Sequence, residues 1–160
     1  MKMPIRSGAE YINNIDSLHS EIWVEGERVE GKVSEHKAFK GVMKSQAALY
    51  DMQLEKVNLD IMTFQSPITG NLVGTSFLEP KTKADLEKRR LMTQIWAKSS
   101  GGFMGRSPDY MNTVMMAFNQ AADIFSEQDV RFTKNMQTIF EDARERDLSF
   151  THTFINPQVN

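Results

Sequence analysis

Gly101-Gly102-Phe103-Met104-Gly105 interrupts the chain between two helical patterns, and this break constrains the fold more than any other stretch. Three glycines in five residues disfavour a helix, because each costs backbone entropy and permits positive φ. Ser107-Pro108 then reads as a helix start, a hydroxyl cap followed by a proline in the first turn, where its missing N–H is no loss. Arg106 falls just outside that helix N-terminus and Tyr110 in its first turn. A guanidinium, a phenol and the positive end of a helix dipole can there converge on one small volume suited to an oxyanion.

The patterns on either side are helical. Ser7-Gly8-Ala9-Glu10 has capping-box spacing and opens a helix that should end near His19. Glu21 to Val29 reads as two short strands about a Glu25-Gly26 turn. From about His36 to Leu59, apolar residues recur at three- and four-residue steps, which predicts one long helix. A turn-rich break from Phe64 to Asn71 lies between two short strand patterns, Ile61 to Phe64 and Leu72 to Leu78, the second weakened by Gly74.

Thr82-Lys83-Ala84-Asp85 is a second capping box, and its helix runs into the glycine stop. The helix after Pro108 continues through Phe125. Ser126-Glu127-Gln128-Asp129 reads as a third capping box, opening a last helix with Phe132, Met136, Ile139 and Phe140 inward. Its Glu141, Asp142, Arg144, Glu145, Arg146 and Asp147 are expected on a solvated face. From Leu148 to Ile155 the pattern alternates, placing Leu148, Phe150, His152 and Phe154 on one face of a strand. The fold class expected is mainly α, a helical domain with a few short strands.

Composition excludes several functions. A net charge of −2 argues against a nucleic-acid binder that works by neutralising phosphates. With no cysteine there is no disulfide, no thiolate-held cluster and no cysteine nucleophile. No apolar run approaches membrane-spanning length and no secretory signal is visible, so the expected location is the cytoplasm. Eleven methionines, several between Met104 and Met116, read first as adaptable core filling and second as the lining for a flat apolar ligand. His19 and His36 lack acidic or histidine partners at ligand spacing, so they read as exposed or capping residues, and no metal site is expected.

His152 is the one histidine on a segment whose alternation reads as a half-buried strand. Alone, it reads more readily as a core histidine bonded to backbone than as a reacting group. Arg106 alone would be a cap-associated surface arginine. The glycine-rich stretch lacks the Gly-Lys-Ser/Thr of a phosphate loop, and neither a nucleophile elbow nor an HExxH motif occurs. The residues alone support an anion-friendly pocket and no assigned reaction.

Three motifs carry a resemblance. Gly105-Arg106-Ser107-Pro108-Asp109-Tyr110, with Arg144-Glu145-Arg146-Asp147-Leu148 and Thr151-His152-Thr153-Phe154-Ile155-Asn156-Pro157-Gln158-Val159-Asn160, resembles the 4-hydroxyphenylacetate 3-hydroxylase family. The Ser7–Tyr11 opening, the Val24–Val29 hairpin, Tyr50-Asp51 and Ser66–Gly70 agree with it. The resemblance covers essentially the whole chain, as the N-terminal domain of the large oxygenase component. It implies an acyl-CoA-dehydrogenase-like fold, with residues 1–148 as the helical domain and 149–160 as a strand and linker toward a central β-barrel.

The implied activity is that of a two-component flavin monooxygenase. A separate reductase supplies reduced FAD, which reacts with O2 to a flavin hydroperoxide, and 4-hydroxyphenylacetate or a related phenol is hydroxylated beside its hydroxyl. By the same resemblance, Arg106, Tyr110 and His152 hold the phenol oxygen, within a substrate-binding set that includes Ser107, Pro108 and Asp109. His152, Thr153, Phe154, Gln158, Val159 and Asn160 would lie along the flavin. A homo-oligomer is implied for the complete protein, and catalytic silence for this piece alone. Two competitors are 4-hydroxybutyryl-CoA dehydratase, disfavoured by the absence of cysteine, and a non-catalytic helical partner module.

Overall fold

The computed structural model describes residues 4–102, 108–150 and 152. Helix α1 (Gly8–Asp16) opens on the expected capping box: Ser7 Oγ accepts from the Glu10 N–H, and Glu10 accepts from the Ser7 N–H at 2.7 Å. The hairpin pairs β1 (Trp23–Val24) with β2 (Glu27–Arg28) in antiparallel register, Trp23 opposite Arg28. Its two turn residues, Glu25 and Gly26, have φ of 54° and 84°, the left-handed pair that a two-residue hairpin loop demands.

The long helix expected from His36 to Leu59 is divided. A 3-10 turn at Val33–Glu35 precedes α2 (Lys40–Leu54), and Glu55 leaves the helix at ψ 127°. Asn58 accounts for the break: its side-chain amide donates to the Glu55 carboxylate at 2.6 Å, and its N–H to the Glu55 carbonyl at 2.8 Å. Those bonds hold a turn in competition with the helix. A short α3 (Leu59–Met62) then leads into β3 (Thr63–Gln65), which pairs antiparallel with β4 (Leu72–Gly74).

Next comes a 3-10 turn at Thr75–Phe77, then α4 (Lys83–Ser99), opened by the expected Thr82–Asp85 capping box. Gly101 and Gly102 end it with φ of 58° and 80°, and the Gly102 N–H returns to the Ala97 carbonyl at 2.8 Å. Helix α5 (Pro108–Gln120) starts at the proline, as expected, and gives way to a 3-10 segment at Ala122–Glu127 instead of continuing through Phe125. Helix α6 (Val130–Glu145) is capped by Asp129, whose Oδ1 accepts from the Arg131 N–H. Ser126, expected to cap it, instead donates to the Asp123 carbonyl at 2.6 Å within the 3-10 segment.

Two apolar clusters hold these elements. Leu49, Met62, Met92 and Trp96 join α2, α3 and α4, with Trp96 Nε1 donating to the Leu49 carbonyl at 3.0 Å. Phe77, Met116, Phe140 and Ala143 join the 75–77 turn, α5 and α6, and Leu148 and Phe150 pack against them. The buried Met43, Met62, Met92 and Met116 fit methionine's role as core filler.

Helix α6 departs from its expected faces. Phe132 and Ile139, expected inward, are 40% and 51% exposed, whereas Arg144 and Asp147, expected outward, are buried. Asp147 lies beyond the helix end at φ 48°, a left-handed turn that sends its carboxylate back into the interior. Leu148 to Phe150 pack as irregular chain, so the strand expected there is not formed over these residues.

Candidate functional site

Tyr110 stands in the first turn of α5, and His152 follows the segment that leaves α6. The fold brings them together from 42 residues apart. Tyr110 Oη lies 3.4 Å from His152 Nδ1, and the rings are nearly parallel, 17° between planes and 6.1 Å between centroids. Both side chains are half-buried. A phenol hydroxyl and an imidazole nitrogen can share one proton, with donor and acceptor set by the imidazole tautomer. The second apolar cluster explains the meeting: Met115 and Met116 of α5 and Leu148 and Phe150 of the tail pack on the same core.

Arg106 and Ser107 lie outside the described residues, as do Thr153, Phe154, Gln158, Val159 and Asn160. Pro108 and Asp109 are placed as the first two residues of α5. The convergence of Arg106 with Tyr110 therefore stays an expectation. His19 is exposed, while His36 is half-buried and its Nδ1 accepts from the Ala38 N–H, the capping role expected. Among the described residues, no group of three His, Asp or Glu side chains could hold a metal ion.

Buried and half-buried polar residues on the elements that lead to the pair form two networks that periodicity did not single out. Near α5, Asn112 donates to Ser76 Oγ at 2.8 Å, and Arg89 bonds to Thr113 and to three carbonyls of the 75–78 turn. At the root of the His152 segment, Asp147 accepts from the Arg6 N–H at 3.0 Å and from Gln53 Nε2 at 3.2 Å. Burial pushes the Asp147 carboxyl up to about 6, against the Arg6 N–H and charge that pull it down. Tyr50, which accepts from Arg6 Nη2 at 2.8 Å, is pushed up to about 12 by burial and then by the Asp147 charge. One signal was available in the sequence: Asn112 sits on the apolar stripe of α5, one turn before Met116.

A family model described as "4-hydroxyphenylacetate 3-hydroxylase N terminal" matches residues 7–160. The chain belongs to the 4-hydroxyphenylacetate 3-hydroxylase family. A Bacillus subtilis protein named "Probable 4-hydroxyphenylacetate 3-monooxygenase" is 47% identical over 158 residues, covering 99% of this chain and 33% of its own length. A Geobacillus protein named "4-hydroxyphenylacetate 3-monooxygenase oxygenase component" is 47% identical over 160 residues, which are 100% of this chain and 32% of that one.

A crystal structure of such an oxygenase component, HpaB, complexed with FAD and 4-hydroxyphenylacetate, superposes with a TM-score of 0.86 at 41% identity. The match covers 97% of this chain and 31% of that one. An archaeal 4-hydroxybutyryl-CoA dehydratase superposes at 0.75 with 18% identity, a likeness of fold alone. The chain thus has the expected mainly helical, acyl-CoA-dehydrogenase-like architecture and spans about a third of the length of the relatives it matches.

The described residues form part of a site. Two cavities, of about 250 and 320 Å³, lie beside Arg144 and between α1 and Leu148, and neither is lined by Tyr110 or His152. The Tyr110–His152 pair fits a phenol oxygen by the chemistry of its donors.

Proposed function

We propose that this chain supplies the phenol-holding wall of a two-component, reduced-FAD-dependent monooxygenase that converts 4-hydroxyphenylacetate, or a related para-substituted phenol, to a catechol. The observation that carries the reading is the contact of Tyr110 Oη with His152 Nδ1, which unites the two sequence motifs. The name of the Geobacillus relative, an oxygenase component, and the FAD and 4-hydroxyphenylacetate in the HpaB structure support it. Balanced, the reaction consumes one O2 and one reduced FAD per phenol and yields catechol, oxidised FAD and water.

Ring hydroxylation by an electrophilic oxygen requires electron density ortho to the phenol oxygen, and a phenolate supplies more than a phenol. Tyr110 donates a hydrogen bond to that oxygen, and His152 takes up its proton. Arg106, with the N-terminus of α5, favours the anion. Reduced FAD, when bound, would supply the two electrons that activate O2, one oxygen atom of which goes to the ring and the other to water. His152, Thr153, Phe154 and Gln158 to Asn160 are the segment proposed to lie along the flavin.

Residues 1–148 are proposed as the helical N-terminal domain and 149–160 as the lead into a β-barrel. The same reading includes a flavin reductase partner, a homo-oligomer for the complete protein, a cytoplasmic location and no nucleic-acid partner. No helix among the described residues is long and apolar enough to cross a membrane.

The test joins residues 1–160, in place of the matching third, to the remainder of the Geobacillus relative. With reductase, NADH, FAD and 4-hydroxyphenylacetate, the chimera is expected to form 3,4-dihydroxyphenylacetate. A folded chimera that binds neither flavin nor phenol would instead favour a non-catalytic partner module.

A further inference from the structure

The direction in which Tyr110 points depends on the rotation of α5 about its own axis. A turn of about 10° would carry a side-chain tip of that helix by about 1 Å, a misplacement large enough to disable a reacting pair. Apolar packing slides easily, so a fixed rotation calls for directional bonds. Helix α5 has two such bonds immediately after Tyr110. Asn112, 2% exposed, donates to Ser76 Oγ at 2.8 Å, and Ser76 is itself buried. Thr113 Oγ1 accepts from Arg89 Nη2.

Arg89 belongs to α4, and its guanidinium does more than meet Thr113. Its Nη1 donates to the carbonyls of Thr75, Ser76 and Leu78 at 3.1, 2.9 and 3.0 Å. One planar fork thus joins the 75–78 turn to α5. Phe77 of that turn packs edge-on to Phe140, ring centroids 6.1 Å apart, in the cluster that also seats Leu148 and Phe150. Those two residues lie four and two positions before His152. Both members of the pair are therefore referenced to the same turn.

We propose that Arg89 is a positioning residue: by clamping the 75–78 turn to Thr113, it sets the Tyr110–His152 spacing, with Asn112–Ser76 as the second bolt. A lysine cannot replace it, because an ammonium is a point donor without the planar fork that spans the turn and the helix together. The functional weight of this role rests on the reading that Tyr110 and His152 act on one phenol.

The test uses the 160-residue chain without phenol or flavin, so its failure is distinguishable from failure of the hydroxylase reading. Ring-to-ring nuclear Overhauser effects between Tyr110 and His152 are measured in the wild type and in Arg89→Lys. The reference is the contact of Trp96 with Leu49 in the other cluster. Because the effect falls with the sixth power of distance, a displacement of about 1 Å should weaken the Tyr110–His152 signal about threefold. The Trp96–Leu49 signal should hold. Thr113→Val keeps the side-chain volume and loses only the hydroxyl, and it serves if Arg89→Lys does not fold. An unchanged Tyr110–His152 signal in the folded variants, or an equal loss at Trp96–Leu49, would overturn the proposal.

Discussion

The backbone N–H of Arg6 donates to Asp147 Oδ2 at 3.0 Å, tying the start of α1's approach to the residue from which the His152 segment departs. Gln53 donates to the same oxygen from α2, and the Arg6 guanidinium lies 4.8 Å from the centre of the Tyr50 ring. Three parts of the chain distant in sequence are thus fastened around one buried carboxyl. Its consequence is a pH-dependent stability.

Burial raises the folded-state pKa of Asp147 from 3.8 to about 6, so the fold prefers the protonated acid. Its contribution is fully present below about pH 4 and is lost as pH rises through about 6, a change on the order of 3 kcal/mol. Asp147→Asn replaces the carboxyl by a neutral amide and so removes this titration. Relative to the wild type, the variant should gain stability between pH 4 and pH 7, read from urea unfolding at each pH. Parallel profiles for the two proteins would contradict this. Glu145 acts oppositely: burial raises it, but bonds from Ser66, Thr69 and Arg144 hold it below its ordinary value. Its contribution is present above the unfolded pKa and lost on acidification, and it cancels in the comparison because both proteins carry it.

Gly8 marks the closest approach of α1 to α2. A Cβ there would stand 2.5 Å from the Ala47 carbonyl oxygen and 2.7 Å from Asp51 Oδ2. That same Asp51 accepts from the Gly8 N–H, also at 2.7 Å. Gly8→Ala should therefore cost about 1–3 kcal/mol through forced separation of the helices. Gly41, in the first turn of α2, faces open space, and Gly41→Ala should stabilise by about 0.5 kcal/mol. Denaturant midpoints that move the same way for both would refute the account of α1–α2 packing.

The hairpin turn carries a glutamate where asparagine fits better. Glu25 holds φ of 54° beside Gly26 at 84°, and asparagine tolerates the left-handed region with less strain. Glu25→Asn should strengthen the local pairing by about 0.5 kcal/mol, seen as slower amide exchange at Val29, whose N–H donates to Ile22 at 2.8 Å. Faster exchange would mean that the turn is not limited by this residue.

Elements announced by local chemistry were readable from the sequence. The Ser7 and Thr82 capping boxes, the Glu25-Gly26 turn, the Gly101-Gly102 stop and the Pro108 helix start each have a mechanism confined to a few residues. What eluded the sequence depends on distant neighbours. Asn58 breaks a periodic pattern by bonding back to Glu55, and Asp129 displaces Ser126 as a cap once a 3-10 segment claims Ser126. Arg144 and Asp147 read as solvated charges because what surrounds them is not encoded in helical spacing: Arg144 bonds to Glu145, which Ser66 in turn holds, and Asp147 accepts from Arg6 and Gln53. In the candidate site, the motifs named Tyr110 and His152, while Arg89 and Ser76 carry no signal in the sequence that sets them apart.

The central claim, that Tyr110 and His152 act together on a phenol oxygen, is tested most directly by catechol formed per reduced FAD oxidised, in the chimera with the Geobacillus remainder. His152→Ala should lower that ratio at least about tenfold while reduced flavin is still consumed, with hydrogen peroxide released in place of catechol. An unchanged ratio in the variant would contradict the account.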